Sequence, residues 1–415
     1  MPERAGARIG AATWLLGATV VAGGLGYVSQ LLAARLLPPD GYESFTVWWS
    51  LLYFVVAAVA GVQHEIARAS GPAAPGGRGR SVLAAVLVVG AVAIVAIAVA
   101  ALLAGGEPAI AAALALGIGG YVLLAAVSGL LYGAEAWRLV ATTMVVDAAT
   151  RAVLTTLALA LGAPMPVVVL AFAAPFLVTV VVTLVPVRRA IASVGVVASP
   201  RALLATIAVT VGGSAATALL VSGFPFALRV LSPEVPDEEF GAFSFSFTLA
   251  RAPLVVAVMA LQTFLVTRFR AQGRPLALLG RIAVVVAVVS AALAALAWWL
   301  GPVALAAFFD RGYGMPGAVL AGIVGSAGSI ALLTVSGAMV LARASHGAYL
   351  GGWAVAAITT IALLLVPGDL ATRAVVAVGV GPALGVAVHV AGLVRASGRL
   401  ADDDRTPQAP VVDGV

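Results

Sequence analysis

Apolar stretches of about 20 residues recur from the beginning of this chain to its end, and each is long enough to cross the roughly 30 Å hydrocarbon core of a bilayer. They produce a composition in which 62% of the residues are hydrophobic and 10% are charged. Such a sequence leaves no length for a water-soluble domain. We therefore predict an all-α polytopic membrane protein.

The apolar stretches form two groups of six, separated by a polar connector. They predict an N-terminal lobe, 1–190, a cytoplasmic connector, 191–202, and a C-terminal lobe, 203–395. The residues that follow, 396–415, include consecutive aspartates and are predicted to form a disordered cytoplasmic tail. The predicted helices span about 11–37, 44–66, 82–104, 110–133, 139–162 and 166–187, then 203–231, 242–267, 282–308, 316–341, 349–366 and 374–394.

A short polar segment occurs twice, half a chain apart. The first copy is ARLLPPDGYESF at 34–45, and the second is LRVLSPEVPDEEFGAF at 228–243, with a four-residue insertion. The matching pairs are Arg35 and Arg229, Pro39 and Pro233, Asp40 and Glu234, Tyr42 and Phe240, and Phe45 and Phe243. Each copy ends one apolar stretch and begins the next, where a hairpin between two membrane helices is expected. The repeat indicates that the two lobes share one internal plan.

The charges between the stretches predict the orientation of the protein. With the N-terminus inside, most of the 23 basic residues fall in inner loops, as the positive-inside rule requires. We expect a multi-pass protein of the cell membrane with both termini in the cytoplasm. Since each lobe holds an even number of helices, both lobes begin on the inner face. The pseudo-twofold axis is then parallel to the membrane normal, and a central cavity is expected between the lobes.

Several kinds of chemistry are excluded by composition. The chain contains neither cysteine nor lysine, which excludes disulfides, thiolate nucleophiles, P-loops and Schiff bases. His389 has no carboxylate at metal-ligand spacing, so no metal or other cofactor is predicted. The arginines form no groove or stripe, so nucleic acid is not an expected partner. The short loops hold no catalytic cluster, and an enzyme is not expected.

Four arginines fall inside predicted helices or at their edges: Arg35, Arg151, Arg229 and Arg251. A charged side chain at the bilayer centre costs about 2.5 to 3.5 kcal/mol on insertion scales, so such residues usually face a bundle interior or a wet cavity. Arg35 and Arg229 lie near the outer helix ends. They can instead extend toward water and pair with Asp40 and Glu234.

Arg151 and Arg251 lie deeper in their predicted helices. Arg151 is about 12 residues from the inner end of its helix, or about 18 Å, which is too far for its side chain to reach water. It is a candidate ligand-binding residue, and the alternative is a pair with Asp147 on the same helix face. Arg251 precedes Pro253, which can loosen the helix. The alternative for Arg251 is a role in helix packing.

Two carboxylates are candidates for ion coupling. Asp147 lies within the fifth predicted helix, and Glu65 lies beside His64 at the inner end of the second. His64 and Glu65 can relay protons, and the alternative is an interfacial pair bonded to nearby backbone. The embedded charge is net positive. Guanidinium groups offer a fork of donors that suits phosphate oxygens, so a cavity on which these arginines converge favours an anionic headgroup over a cationic drug.

The two hairpins resemble those of a known family. The segment LLAARLLPPDGYESFTVWWSLLYFV at 31–55 is similar to the opening of the polysaccharide flippases in the multidrug/oligosaccharidyl-lipid/polysaccharide exporter superfamily. The second hairpin and RAPLVVAVMALQ at 251–262 resemble their seventh and eighth helices. The chain departs from the family pattern in the first hairpin, where Glu43 and Pro38 replace glycines. Its twelve predicted helices also argue against the lipid II flippase branch, which has two more.

This resemblance implies transfer of a polyprenyl-pyrophosphate-linked oligosaccharide from the inner to the outer leaflet by alternating access, coupled to a proton or sodium gradient. We predict such a function in cell-surface polysaccharide biosynthesis, with Arg35, Arg151, Arg229 and Arg251 holding the headgroup and Asp147 or Glu65 coupling the ion. Expected partners are membrane lipids and the glycosyltransferases or polymerase of the same pathway. The alternatives are a cation-coupled multidrug antiporter of the same superfamily and a non-transporting scaffold subunit of a polysaccharide-synthesis complex.

Overall fold

The computed structural model describes residues 2–72, 79–192, 194–251, 275–309, 312–343 and 345–403. Within these ranges, eleven helices are long and apolar enough to cross a membrane. The predicted all-α membrane fold is therefore confirmed. Part of the predicted eighth span, 242–267, lies outside the described residues, because these stop at 251 and resume at 275.

By their contacts, the residues form two compact units. The first comprises Met1–Phe245 and Phe309–Tyr313, and the second comprises Ser246–Phe308 and Gly314–Val415. The boundary falls inside the predicted eighth span because the seventh predicted span packs along the second. The division into repeat-based lobes at 1–190 and 203–395 stays a prediction.

The first unit is built from helices and one pair of short strands. In chain order they are α1 (Pro2–Leu36), α2 (Pro39–Val59), α3 (Gly61–Ala69), β1 (Ser70–Pro72), α4 (Gly79–Leu103), α5 (Pro108–Gly133), α6 (Trp137–Ala160), α7 (Met165–Ala173), α8 (Pro175–Val182), α9 (Leu184–Ile191), β2 (Val194–Val196), α10 (Pro200–Ala218), a π-helical turn (Leu219–Gly223), α11 (Phe224–Val230) and the beginning of α12 (237–251).

Three of the predicted spans are interrupted. The second is divided into α2 and α3 at Ala60, and the sixth is divided at Ala174 and again at Thr183. Pro175 begins α8, and a proline lacks the N–H that would continue the preceding helix. Thr183 donates its hydroxyl to the carbonyl oxygen of Thr179, 2.6 Å away, a bond that often bends a helix. The π-helical turn interrupts the seventh span before Pro225.

The two strands join parts of the chain that the sequence leaves as loops. β1 follows α3, β2 lies in the predicted connector, and the two pair antiparallel with Gly71 opposite Gly195. Ser81 donates its hydroxyl to the carbonyl oxygen of Ala198, 2.8 Å away. The connector is thus attached to the segment between the second and third spans. The sequence analysis did not predict this pairing.

The second unit contains the end of α12 and four long helices. These are α13 (Pro275–Phe308), α14 (Gly317–Ala342), α15 (His346–Leu364) and α16 (Leu370–Asp403). α14 is the most deeply buried of them and packs against α13, α15 and α16. Asp369 caps α16 by accepting a hydrogen bond from the backbone nitrogen of Thr372, 2.9 Å away. This bond holds the pKa of the Asp369 carboxyl below its usual value.

The predicted tail begins too early. The sequence predicts disorder from 396, whereas α16 continues to Asp403. Alanine, arginine and leucine in this stretch have high helix propensity, so the helix extends beyond its apolar part. The rest of the predicted tail, 404–415, lies outside the described residues.

Close packing of α5 on α7 gives a test of the first unit. A Cβ at Gly117 would lie 2.6 Å from the Cβ of Ala173, whereas a Cβ at Gly212 in α10 would meet no atom within 4 Å. We expect Gly117→Ala to lower the melting temperature of the purified protein, because overpacking costs about 1 to 3 kcal/mol. Gly212→Ala is the matched control, and it should be neutral or stabilising because alanine has the higher helix propensity. Equal melting temperatures for the two variants would contradict the packing described.

Candidate functional site

A cavity of about 410 Å³ lies inside the first unit, among α1, α2, α3, α5, α6 and α8. Gly23 and Gly26 leave room on α1, since a Cβ at either position would meet no atom within 4 Å. Among its lining residues, Asp147 is the one acid and Arg151 the one base. Further polar groups come from Thr19, Ser29, Tyr53, Gln63, Tyr121, Ser128 and Thr143. The cavity thus combines hydroxyl and amide groups with a single pair of opposite charges.

Arg151 is bound by Asp147, one turn earlier on α6. Both carboxylate oxygens of Asp147 accept hydrogen bonds from Nη2 of Arg151, at 2.8 and 2.7 Å. Nη1 of Arg151 donates to the backbone carbonyl oxygen of Phe172 on α7. The structure therefore has the intrahelical pair that was the alternative for Arg151, and the role of these two residues in binding and coupling stays a prediction.

The surroundings of Arg151 explain how a charge is held so deep. Its side chain is 3% exposed, and its guanidinium carbon lies 4.0 Å from the ring centroid of Phe176 and 5.8 Å from that of Tyr53. Aromatic faces attract a cation electrostatically. An unpaired charge here would be very costly, so the carboxylate of Asp147 and the carbonyl of Phe172 are required partners.

Glu65, the second ion-coupling candidate, lies outside the set of residues that line this cavity. Its Oε2 accepts from Nε and Nη2 of Arg68, at 2.9 and 2.6 Å. Its Oε1 accepts from the hydroxyl of Thr210 on α10, 2.8 Å away. The contact with Thr210 joins α3 to the seventh span, and the structure does not bring Glu65 to Asp147. The role of Glu65 in ion coupling stays a prediction.

Arg229 joins the two copies of the repeat. Its Nε lies 2.8 Å from Oε1 of Glu43, in the first copy. Its Nη1 donates to the carbonyl oxygen of Val235 at 2.7 Å, and its Nη2 pairs with Asp237. Its guanidinium carbon also lies 5.2 Å from the ring centroid of Phe240. Arg229 thus links α11 to α2 and to the start of α12.

The backbones of the two repeats also touch. A Cβ at Gly241 in α12 would overlap the carbonyl oxygen of Pro39 at the start of α2. Beside this contact, the ring of Tyr42 packs edge-on against Phe245 at 5.4 Å and against Tyr313 at 5.9 Å. The hairpins that the sequence identified as repeats therefore form one compact contact within the first unit.

The remaining two arginines are placed differently. Arg35 is exposed at the end of α1. Arg251 belongs to the second unit and is 8% exposed, with its guanidinium carbon 4.4 Å from the ring centroid of Phe247. Pro253, which the sequence analysis linked to Arg251, lies outside the described residues. Of the four arginines, Arg151 is the one among the lining residues of the first-unit cavity.

Some residues of the site were missed by sequence reasoning. Glu43 was noted as a departure from the family pattern, but its pairing with Arg229 was not predicted. The tyrosines of the cavity, Tyr53 and Tyr121, were also missed. Glu43 lies one residue ahead of the second predicted span, 44–66, so its position inside a span could not have marked it, and nothing in the sequence distinguishes these tyrosines. In the described part of the chain, no group of three or more His, Cys, Asp or Glu side chains is placed to hold a metal ion.

Proteins from mycobacteria resemble this chain over nearly its whole length. Rv1510 of Mycobacterium tuberculosis is 33% identical over 403 residues, which cover 94% of this chain and 91% of Rv1510. The chain belongs to the Rv1510 family. Other members are Mb3654 of Mycobacterium bovis, 31% identical over 91% of this chain and 90% of its own length, and Rv3630 of M. tuberculosis, 31% identical over 89% of each. All three are described as uncharacterised proteins. No family model matches the sequence.

Solved structures show which fold this chain has. The chain is similar to a multidrug resistance MATE family transporter of the MOP superfamily in its inward-facing conformation, with a TM-score of 0.66 over 92% of this chain and 96% of that one. The outward-facing conformation of such a transporter gives a TM-score of 0.60. A MOP superfamily transporter from Pyrococcus furiosus, described as having a binding pocket of reversed polarity, gives 0.61. Sequence identities are 14 to 16%, so the likeness establishes the MATE fold.

The contact between the repeats can be tested through its two acids. The side chain of Glu43 is 9% exposed, whereas that of Asp237 is 58% exposed. We expect Glu43→Gln to destabilise the purified protein by about 1 to 3 kcal/mol, because a buried partner of a charge is lost. Asp237→Asn should cost less than about 1 kcal/mol, since exposed ion pairs are weak. Chemical unfolding measures both, and a larger loss for Asp237→Asn would show that Glu43 is not the main partner of Arg229.

Proposed function

We propose that this protein is a transporter that moves a polyprenyl-pyrophosphate-linked oligosaccharide across the cell membrane by alternating access. The MATE fold supports a transporter, and the flippase-like hairpins support the substrate class. The observation that carries the proposal furthest is the paired state of Asp147 and Arg151 in the first-unit cavity. This pair links a carboxylate that can bind a proton to a guanidinium that can bind phosphate.

The pair suggests how ion binding and substrate binding are coupled. While Asp147 is ionised, both of its oxygens hold Nη2 of Arg151. A proton on Asp147 turns the carboxylate into a neutral acid and removes the charge that holds the guanidinium. Arg151 then carries an uncompensated positive charge beside the cavity, where a pyrophosphate oxygen can replace the lost partner. The two states of the pair thus differ in affinity for an anion, which is what a gradient needs to drive a transport cycle.

A multidrug antiporter is the second candidate, because similar structures are described as multidrug resistance transporters. Such a transporter needs negative charge to attract a cationic drug. In the first-unit cavity, the acid that lines the wall is already neutralised by Arg151. The charge balance of this cavity therefore offers no attraction for a cation, and protonation of Asp147 would make the cavity favour an anion. We further propose that the pathway's glycosyltransferases or polymerase supply or consume the substrate.

Transport in liposomes tests the role of Arg151. We expect Arg151→Gln to lower transfer of a polyprenyl-pyrophosphate oligosaccharide at least about tenfold, a change of about 1.4 kcal/mol in the barrier. Arg138→Gln is the matched control, since Arg138 lies on the same helix and faces Trp14 outside the lining set of the cavity. It should leave transfer unchanged.

Loss of Arg151 also leaves Asp147 unpaired, so unfolding must be separated from loss of binding. The double variant Asp147→Asn with Arg151→Gln removes both charges and should recover most of the stability, because no unpaired charge remains. It should still fail to transfer the lipid. Export of a cationic dye by the unmodified protein, without lipid transfer, would favour the antiporter.

Ion coupling is tested by Asp147→Asn alone. Asparagine mimics the protonated acid in charge, so we expect lipid transfer that no longer responds to an imposed proton or sodium gradient. The measurement compares transfer with and without the gradient in the unmodified protein and in the variant. A variant that keeps the full response would place the coupling site elsewhere, with Glu65→Gln as the next test.

A further inference from the structure

A buried histidine in the second unit has no part in the function proposed above. His389 on α16 is fully buried where α14, α15 and α16 meet. Its Nε2 lies 3.2 Å from the backbone carbonyl oxygen of Tyr349 on α15, and its Nδ1 lies 2.8 Å from Oγ of Ser336 on α14. A carbonyl can only accept, so Nε2 carries the hydrogen and donates. Nδ1 of the neutral ring then accepts from the hydroxyl of Ser336.

Two glycines leave room for the imidazole ring of His389. A Cβ at Gly352 on α15 would overlap the imidazole at Nε2, and one at Gly337 on α14 would lie 3.3 Å from Cε1. The ring of Tyr349 is stacked parallel to the imidazole, with 6.2 Å between centroids and 3° between planes. Three helices therefore contribute backbone or side chains that fit this one ring.

The hydrogen bonds around His389 suit both protonation states. Oγ of Ser336 lies 2.8 Å from Nδ1 and 3.1 Å from the carbonyl oxygen of Leu333. When a proton binds to Nδ1, the new N–H can donate to Oγ, and the hydroxyl can rotate to donate to Leu333. Nε2 keeps its bond to Tyr349 throughout. One proton is added, and every donor retains an acceptor.

Charge is not balanced in the same way. Up to Arg395, the helices α13, α14, α15 and α16 contain no carboxylate. Asp402 and Asp403 lie at the far C-terminal end of α16, and Asp369 lies ahead of it. The other titratable or charged residues, apart from Tyr349, lie toward the ends of these four helices or just after them: Arg281, Arg343, His346, Arg373, Arg395 and Arg399. A protonated His389 would be a cation among apolar helices, so the tightly packed arrangement favours the neutral ring.

A neighbouring side chain shows that the packing of α15 is not optimal. Trp353 lies one turn after Tyr349, is 1% exposed, and its Nε1 has no hydrogen-bond partner among the described residues. Its ring centroid is 6.4 Å from that of Tyr349. A buried donor without an acceptor raises the free energy of the state that contains it. A shift of α15 that gave the N–H of Trp353 an acceptor would therefore remove this contribution to the free energy.

We propose that His389 is a proton-binding site whose neutral ring holds α14, α15 and α16 together, and that protonation loosens α15 from its neighbours. The site is separate from the Asp147–Arg151 pair and lies in the other unit. Because the packed state disfavours the charged ring, the loosened state binds more protons, and stability falls as the pH falls.

Selective labelling of histidine with ¹³C in the purified full chain tests the binding of the proton. The chain has three histidines, and the signal absent from His389→Gln identifies His389. On acidification from about pH 8 to about pH 5, the range in which histidines titrate, we expect this signal to change to the protonated form toward the acid end, because the packed state disfavours the charged ring. In Ser336→Ala the change should move to lower pH, because the protonated ring loses its acceptor. A signal that stays neutral over the whole range overturns the proposal.

Thermal unfolding over the same pH range tests the loosening. On acidification, the melting temperature of the unmodified protein should fall further than that of the His389→Gln variant. His346→Gln is the matched control, because His346 is exposed at the start of α15, and it should behave as the unmodified protein. Equal losses in the unmodified protein and in His389→Gln overturn the proposal. Neither measurement needs transport, so a failed flippase assay leaves this test intact.

Discussion

The hydrocarbon interior of a membrane supplies no water to bond with polar groups, and this constraint determines both the fold and the positions of its charges. Backbone groups are satisfied within helices, which explains why strands occur among the described residues only as the short pair β1 and β2. Charged side chains need partners from the protein itself. Arg151 has Asp147 and the carbonyl of Phe172, and Arg229 has Glu43 and Asp237. Each of these cations is held by groups from more than one part of the chain.

Features that depend on local sequence could be predicted, and those that depend on packing could not. Apolar length predicted the spans, and the four-residue spacing of Asp147 and Arg151 gave their pair as an alternative. The pairing of Glu43 with Arg229 depends on how the seventh span packs along the second, and no periodicity reports that contact. The same is true of the tyrosines in the cavity and of the strand pair. The tail was predicted to begin at 396, where the apolar stretch ends, whereas α16 continues through polar residues to Asp403.

The repeat has symmetric sequence features but asymmetric contacts. The alignment that matches Tyr42 with Phe240 also matches Glu43 with Gly241. In the first copy this position supplies a carboxylate to Arg229, and in the second the absent side chain lets α12 touch the backbone of Pro39. One position therefore contributes charge in one copy and space in the other, and the contact needs both. The departure of Glu43 from the flippase pattern has a structural explanation in this pairing.

The π-helical turn at Leu219–Gly223 separates two contacts that the seventh span makes with the second. A π turn holds about one residue more than an α turn, so the helix after it is rotated by about 100° relative to an uninterrupted one. Before the turn, Thr210 on α10 contacts Glu65, and after it, Arg229 on α11 contacts Glu43. The direction in which Arg229 points around the helix axis thus depends on the number of residues in the seventh span before it. One extra residue in this turn therefore helps to set the direction in which Arg229, the one charged side chain of α11, points.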